Sequence, residues 1–327
     1  MPYTPNRCFE AFNKNVVNLN PDECSAARSS RDYLMRCIMN LSQEEKIPVI
    51  YSEMNIFFGS FARKTKVNPL DDIDIMITYS GQGGTYNIEK ENERYSINMP
   101  SGINILSDLC DNSELNSRKV VNNLRDSLSD RSIYSKAEIH RNQEAVTLQL
   151  NSRPWNFDLV PSFFTTAGFY LIPDGSGKWK PANPSIDQTN VTQANQAYSG
   201  QLLQLIRTMK YWKRKKANSC MSSYVFELLL IKFVSQSTFH SFSESVCDTL
   251  NFIWSNVYTL VLPDPKGFDD NLNTCWLTEQ GQRLSEKAQY DAVMATYAIN
   301  AERRGFYKEA IDYWRQIFGD EFPQYGV

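Results

Sequence analysis

Asp72 and Asp74 stand two residues apart in Asp71-Asp72-Ile73-Asp74-Ile75-Met76-Ile77, and Asp158 stands between Phe157 and Leu159. In an extended strand alternate side chains share a face, so Asp72 and Asp74 point one way and Ile73, Ile75 and Ile77 point the other, towards a hydrophobic layer. The two carboxylates then lie about 6.5–7 Å apart along the chain. Held on a semi-buried surface without a cation, such like charges repel and one of them tends to take a proton. A divalent metal resolves the repulsion. Magnesium takes hard oxygen ligands and usually keeps substrate phosphates and waters in its shell, which suits paired strand aspartates. Asp158, facing away from Phe157 and Leu159, can join them from a neighbouring strand. Three carboxylates suffice for two Mg2+ ions, with Mn2+ as a substitute, roughly 3.5–4 Å apart, one activating an attacking hydroxyl and the other steadying a pyrophosphate leaving group. Phosphoryl transfer of this kind runs on positioning and charge neutralisation and needs no catalytic His or Cys.

Gly59-Ser60 follows the apolar run Ile56-Phe57-Phe58. Glycine allows close backbone approach, and backbone N–H groups with the Ser60 hydroxyl can cradle phosphate oxygens. Each element alone has a plainer explanation: Asp-x-Asp as a solvated strand end, Gly-Ser as a turn, Asp158 before Leu-Val-Pro as a cap. Their order on two candidate strands points to a nucleotide-handling site.

The elements that must position these residues follow from periodicity. Residues Pro21 to Leu41 carry Leu34, Cys37, Ile38 and Leu41 at helical spacing, and two short strands, Met54 to Phe58 and Ile73 to Thr78, come next. Ser80 to Met99, rich in Gly, Asn, Glu and Lys, reads as a mobile loop, and Leu115 to Leu128 as a helix. Strands are expected over Ala145 to Leu150 and Asn156 to Val160, and a Pro/Gly/Asn-rich link over Ile172 to Ile186. Beyond about Asn190 the stride is helical throughout, as in Tyr198, Leu202, Leu205, Met209 and Trp212. The expected division is a mixed α/β lobe over 1–189, N-terminal helix included, and a helical lobe over 190–327.

Composition narrows the classes. The chain has 327 residues, 34 basic against 37 acidic side chains and a net charge of −3, so no global field draws it to a polyanion. Seven scattered cysteines, none spaced Cys-x-x-Cys, and two histidines disfavour a zinc site and read as thiols in a reducing compartment. The N-terminus lacks a secretion pattern and no apolar run reaches bilayer length, so a cytoplasmic protein is expected.

Gly-Ser, then Asp-x-Asp, then a lone strand Asp resembles the DNA polymerase β-like nucleotidyltransferase superfamily. Further segments resemble the bacterial CD-NTases, relatives of cyclic GMP-AMP synthase that make cyclic oligonucleotide signals in the anti-phage defence called CBASS. They are Leu171-Ile172-Pro173-Asp174-Gly175 with Trp179 and Asn183-Pro184, Ile206-Arg207-Thr208-Met209-Lys210-Tyr211-Trp212, Ser222-Ser223-Tyr224, and Trp314-Arg315-Gln316-Ile317-Phe318-Gly319 before Phe322-Pro323. The resemblance implies an α+β fold: a polymerase β-like palm with a C-terminal helical lobe, binding triphosphates between them. By similarity Asp72, Asp74 and Asp158 hold metal, Gly59 and Ser60 contact the donor triphosphate, Lys210 neutralises it, and Ser223 and Tyr224 meet phosphate and base. It also implies an effector that binds the product, and a regulatory or conjugating partner at the tail Gln324-Tyr325-Gly326-Val327. No Cys/His-rich insertion is present, so a direct double-stranded DNA switch is not expected, nor is a membrane partner.

The residues carry part of this themselves. Arg207, Lys210 and Arg214 form a basic strip at i, i+3, i+7, of which Lys210 is the candidate for polyphosphate and the others read as a solvated helix end. Tyr224 either stacks on a base or joins the core beside Val225 and Phe226. Trp212, Trp314 and Phe318 are packing residues, and Asp264, between two prolines, a turn. The same chemistry would serve nucleotide transfer to an RNA 3′ end or to a protein, although near-neutral charge disfavours long RNA. A non-catalytic nucleotide-binding protein is a third reading, which three intact aspartates oppose.

Overall fold

The computed structural model describes residues 3–89, 94–102, 104–217, 219, 221–256, 258–269, 271–272 and 279–326. The chain divides into two units, each discontinuous in sequence: one made of residues 21–63 and 70–186, the other of residues 1–20, 64–69 and 187–327.

The first unit is built on an eleven-stranded sheet in which one pairing is parallel, Asp72–Tyr79 with Asn156–Phe164, and the rest are antiparallel. Ile56–Phe58 pairs the other edge of Asp72–Tyr79. The far edge of Asn156–Phe164 is shared by Ala145–Gln149 and Tyr170–Pro173. Val146 and Leu148 are fully buried while Thr147 takes the opposite face, the period-two pattern that fixes register. The helix Ser117–Ser129 is capped by Asn116, whose side chain accepts from the Arg118 and Lys119 N–H groups, and it buries Val120, Val121, Leu124 and Leu128 completely. Pro21–Gln43, a 23-residue helix with Asp22 and Glu23 in its positive first turn, buries Ala27, Leu34, Ile38 and Leu41.

Two segments differ from their sequence reading. The expected mobile loop over Ser80–Met99 contains two paired strands, Thr85–Glu89 and Arg94–Asn98, with residues 90–93 outside the described set. Tyr86 and Tyr95 lie against Phe169 with ring centroids 5.7 and 5.9 Å away, and this aromatic cluster outweighs the loop-like composition. The expected link over Ile172–Ile186 holds a hairpin, Tyr170–Pro173 with Trp179–Ala182. Asp174 organises its turn by accepting from the Ser176 and Lys178 N–H groups at 2.7 and 3.1 Å, and Trp179 is fully buried with its indole N–H on the Leu115 carbonyl.

The second unit is helical: Pro5–Phe12, a π-helical turn Asn13–Val17, then Leu202–Trp212, Ser223–Val234, Phe242–Asn256, Glu279–Arg303 and Tyr307–Phe318. Its core explains why the first twenty residues belong here and not with the sheet, as sequence alone suggests. Phe9 and Phe12 are buried, and the Phe9 ring meets Trp314 at 5.0 Å, Phe318 at 5.7 Å and Phe322 at 4.9 Å. Burial of each such ring contributes roughly 1.5–3 kcal/mol, which holds the N-terminal helix against the C-terminal one. Residues 64–69 are fastened likewise, since Arg207 donates to the Lys64 carbonyl and Arg214 to the Asn68 carbonyl, at 2.6 and 2.7 Å. Among the described residues no helix is long and apolar enough to cross a membrane. Cys8 and Cys247 are buried, and burial pushes both thiols up to about 11, whereas Cys220 and Cys275 lie outside the described residues.

Candidate functional site

The acidic residues are placed by the parallel pairing of Asp72–Tyr79 with Asn156–Phe164, next to the edge strand Ile56–Phe58. Register sets Asp74 opposite Asp158 and Asp72 opposite Asn156. Partners in a parallel pair project to the same side, so the three carboxylates share one face of two adjacent strands. The hydroxyls of Thr78 and Ser162, the next pair but one along this face, meet at 3.0 Å. Asp72, Asp74 and Asp158 are half-buried, and the alternate residues Ile73, Ile75, Phe157 and Leu159 are buried. The like charges are thus held on rigid strands whose apolar reverse side cannot relax without unpacking.

Gly59 sits directly under this row. Phe58 pairs with Asp74, and the chain then turns into the short helix Gly59–Ala62 with Gly59 at φ +71°. A Cβ added to Gly59 would fall inside the Asp74 carboxylate. Only glycine accommodates both the left-handed backbone and the close carboxylate. Ser60, half-buried, is the next residue of the same turn.

Thr147, absent from the sequence-derived candidates, completes the row. It pairs with Asp158 across the antiparallel edge, and its hydroxyl donates to Asp158 Oδ1 at 2.6 Å. Its one signal in the sequence is a polar residue between Val146 and Leu148. Finding its partner requires the register.

Among the described residues no three His, Cys, Asp or Glu side chains are gathered into a ready-made metal cluster. The aspartates form an open row instead. That donor set fits a magnesium-type ion, which needs one or two carboxylates and takes the rest of its shell from water and phosphate, better than it fits an ion requiring a closed protein cage.

Lys210, Ser223 and Tyr224 belong to the helical unit, whereas Asp72, Asp74, Asp158, Gly59, Ser60 and Thr147 belong to the sheet unit. Lys210 is buried, donating to Glu227 Oε1 at 2.8 Å and to the Thr65 carbonyl at 3.1 Å, and Glu227 accepts a further bond from the Thr65 hydroxyl. Arg207 is not the solvated helix end expected from sequence. Its guanidinium is spent on Asn18, Lys64 and Gln204, and burial pulls it down to about 10. Ser223 is exposed at the start of its helix, while Ser222 caps that helix by accepting from the Val225 N–H at 3.2 Å. Tyr224 is half-buried, and its hydroxyl donates to Asp187 at 2.7 Å. Asp264 forms the expected turn, accepting from the Lys266 and Phe268 N–H groups, while Trp212, Trp314 and Phe318 are fully buried. Val327 of the tail lies outside the described residues.

No family model matches the sequence. The chain is 37% identical over 336 aligned positions, 99% of its own length and 99% of the relative's, to a probable cyclic nucleotide synthase of Bacillus cereus strain VD146. Its fold is similar to that of CdnC from Escherichia coli MS115-1 in complex with HORMA-deltaN, with a TM-score of 0.70 at 16% identity over 98% of this chain and 99% of that one. It is similar also to DncV cyclic AMP-GMP synthase of Vibrio cholerae bound to the linear intermediate pppA(3′,5′)pG, with a TM-score of 0.71 at 12% identity over 99% and 98%.

Proposed function

We propose a function that proceeds from one established premise: the chain belongs to the bacterial CD-NTase family of cyclic oligonucleotide synthases. It is a nucleotidyltransferase that joins nucleoside triphosphates into a cyclic di- or trinucleotide signal with release of pyrophosphate. The observation that supports this most directly is the parallel register that pairs Asp74 with Asp158 above Gly59.

In each bond-forming step a ribose hydroxyl oxygen bonds to the α-phosphorus of a triphosphate as the α–β bridging P–O bond breaks. Asp72, Asp74 and Asp158 would hold Mg2+, or Mn2+ in its place, and the cation supplies charge neutralisation at the triphosphate and a lowered hydroxyl pKa. Thr147 occupies Asp158 Oδ1, which fixes that carboxylate and leaves Oδ2 to receive the hydroxyl proton. Gly59 and Ser60 present backbone and hydroxyl donors to the donor phosphates. Ser223 meets phosphate and Tyr224 meets base. For Lys210 to neutralise the donor, its ammonium exchanges Glu227 for a phosphate, one anionic partner for another. Closing the ring repeats the same bond exchange within one linear intermediate, where proximity replaces a second encounter.

An effector that binds the cyclic product completes the proposed pathway, and the HORMA-bound relative supports a protein regulator for this chain as well. Purified protein incubated with the four triphosphates and magnesium should yield a phosphatase-resistant product whose mass identifies ring size and bases. Linear products alone, labelled RNA or protein, or no turnover with any divalent ion would overturn the proposal.

A further inference from the structure

Tyr224 is held far more firmly than a packing tyrosine requires. Its hydroxyl donates to Asp187 Oδ1 at 2.7 Å and receives Lys266 Nζ at 2.6 Å, so both hydrogen-bonding roles of the phenol are filled. The same ammonium lies 4.3 Å from the centroid of the Tyr224 ring. It also pairs with Asp264 at 3.0 Å and with Asp187 at 3.5 Å. Asp264 is anchored in turn, taking the Lys266 and Phe268 N–H groups at 3.3 and 3.2 Å. Lys266 thus bridges a turn braced by Pro263 and Pro265 to the second residue of the Ser223–Val234 helix.

We propose that Lys266 is a positioning residue for nucleotide binding, holding the Tyr224 ring in one orientation so that a nucleobase meets a preset surface. The inference rests on the reading of Tyr224 as a base contact. A tyrosine side chain turns about two torsions, and ordering it on binding costs affinity, whereas a ring pinned at its hydroxyl by two charged partners is ordered beforehand. The ammonium also balances charge: without it Asp187 and Asp264 leave two uncompensated carboxylates beside a polyanionic substrate. Both effects act on binding and not on the bond exchange, which is assigned to the aspartates of the other unit.

The test uses the full chain and cyclic-product synthesis under varied triphosphate. Lys266→Met should raise KM about threefold to tenfold, as expected for the loss of one hydrogen bond that holds the ring, while kcat stays within about twofold. Lys266→Arg, which keeps the cation, should return KM towards the wild-type value. Tyr224→Phe keeps the ring and loses the hydroxyl tether, and because both substitutions cut the same link, the double variant should raise KM less than the product of the single effects. Independent multiplication, an unchanged KM in Lys266→Met, or a fall confined to kcat would overturn the role of Lys266. Tyr224→Ala tests the premise separately. If it leaves KM unchanged the base contact itself fails, and if it raises KM while Lys266→Met does not, only the positioning role fails.

Discussion

Gly59 and Asp74 occupy space that admits no side chain on the glycine: at φ +71° its Cα hydrogen stands where a methyl group would overlap the Asp74 carboxylate. Gly59→Ala therefore either displaces Asp74 or forces the turn out of its left-handed geometry. Displacement of a reacting group by about 1 Å costs roughly a hundredfold in rate. The expected outcome is a loss of that order in product formation, read by mass spectrometry, with melting measured alongside to separate misplacement from unfolding.

Asp74 and Asp158 are register partners across the parallel strand pairing, two like charges side by side. Like charges directly opposite in a sheet cost about 0.2–1 kcal/mol, so Asp158→Asn should melt at or above the wild-type temperature in chelator. Magnesium should raise the melting temperature of the wild type, by linkage to binding, and raise that of Asp158→Asn much less. Activity of the variant should fall by roughly 10²–10⁴-fold. A variant that keeps full activity, or a wild type indifferent to the ion, contradicts the assignment.

Thr147→Val removes the hydroxyl from Asp158 Oδ1 while keeping side-chain volume. The loss of one bond to a charged acceptor is worth about 1.5–3 kcal/mol, so turnover should drop roughly tenfold to a hundredfold with little change in KM. An unaltered kcat would leave Thr147 a purely structural partner.

Lys210 and Glu227 form a buried pair, with side chains 8% and 2% exposed. Removing one member strands the other charge. Lys210→Met should cost about 3–5 kcal/mol of stability, and the double substitution with Glu227→Leu should recover much of it. Denaturant melts of the wild type and the two variants distinguish this from a lysine used for substrate alone, whose loss would lower activity and leave stability intact.

Asp291 is fully buried, and burial raises its carboxyl from its ordinary value against the opposing hydrogen bonds from Lys287 and Trp212. The folded state then holds this proton more tightly than the unfolded chain. Below the unfolded value both states are protonated and no penalty exists. As pH rises through the raised folded value the penalty becomes complete, so the stability owed to this group falls with rising pH. Asp291→Asn keeps an acceptor for the indole and cannot titrate. Its melting temperature relative to the wild type should therefore improve as pH rises above about 4.

The shared face of Asp72 and Asp74 was legible in the sequence because Ile73, Ile75 and Ile77 alternate so regularly that the aspartates beside them could face only one way. Helices such as Leu202–Trp212 and Tyr307–Phe318 were legible for a related reason, their apolar residues returning every three or four positions. Two hairpins were not. Thr85–Glu89 is mostly exposed and alternates weakly, and Tyr170–Pro173 is only four residues long, so turn composition dominated the reading. Thr147 and Lys266 escaped because their significance lies in register and in a contact 42 residues away, which no local window contains. The membership of residues 1–20 escaped because it rests on rings more than 300 positions apart in the chain.

That last feature bears on how the molecule is made. Phe9 and Phe12 leave the ribosome about 300 residues ahead of Trp314, Phe318 and Phe322, against which they pack. At typical elongation rates the nascent chain carries these rings unsatisfied for roughly 15–60 s, long enough to need shelter by a chaperone or by provisional contacts. Shortening the C-terminus past Phe318 would leave that early segment without its final partners, so truncation at one end should appear as aggregation driven from the other.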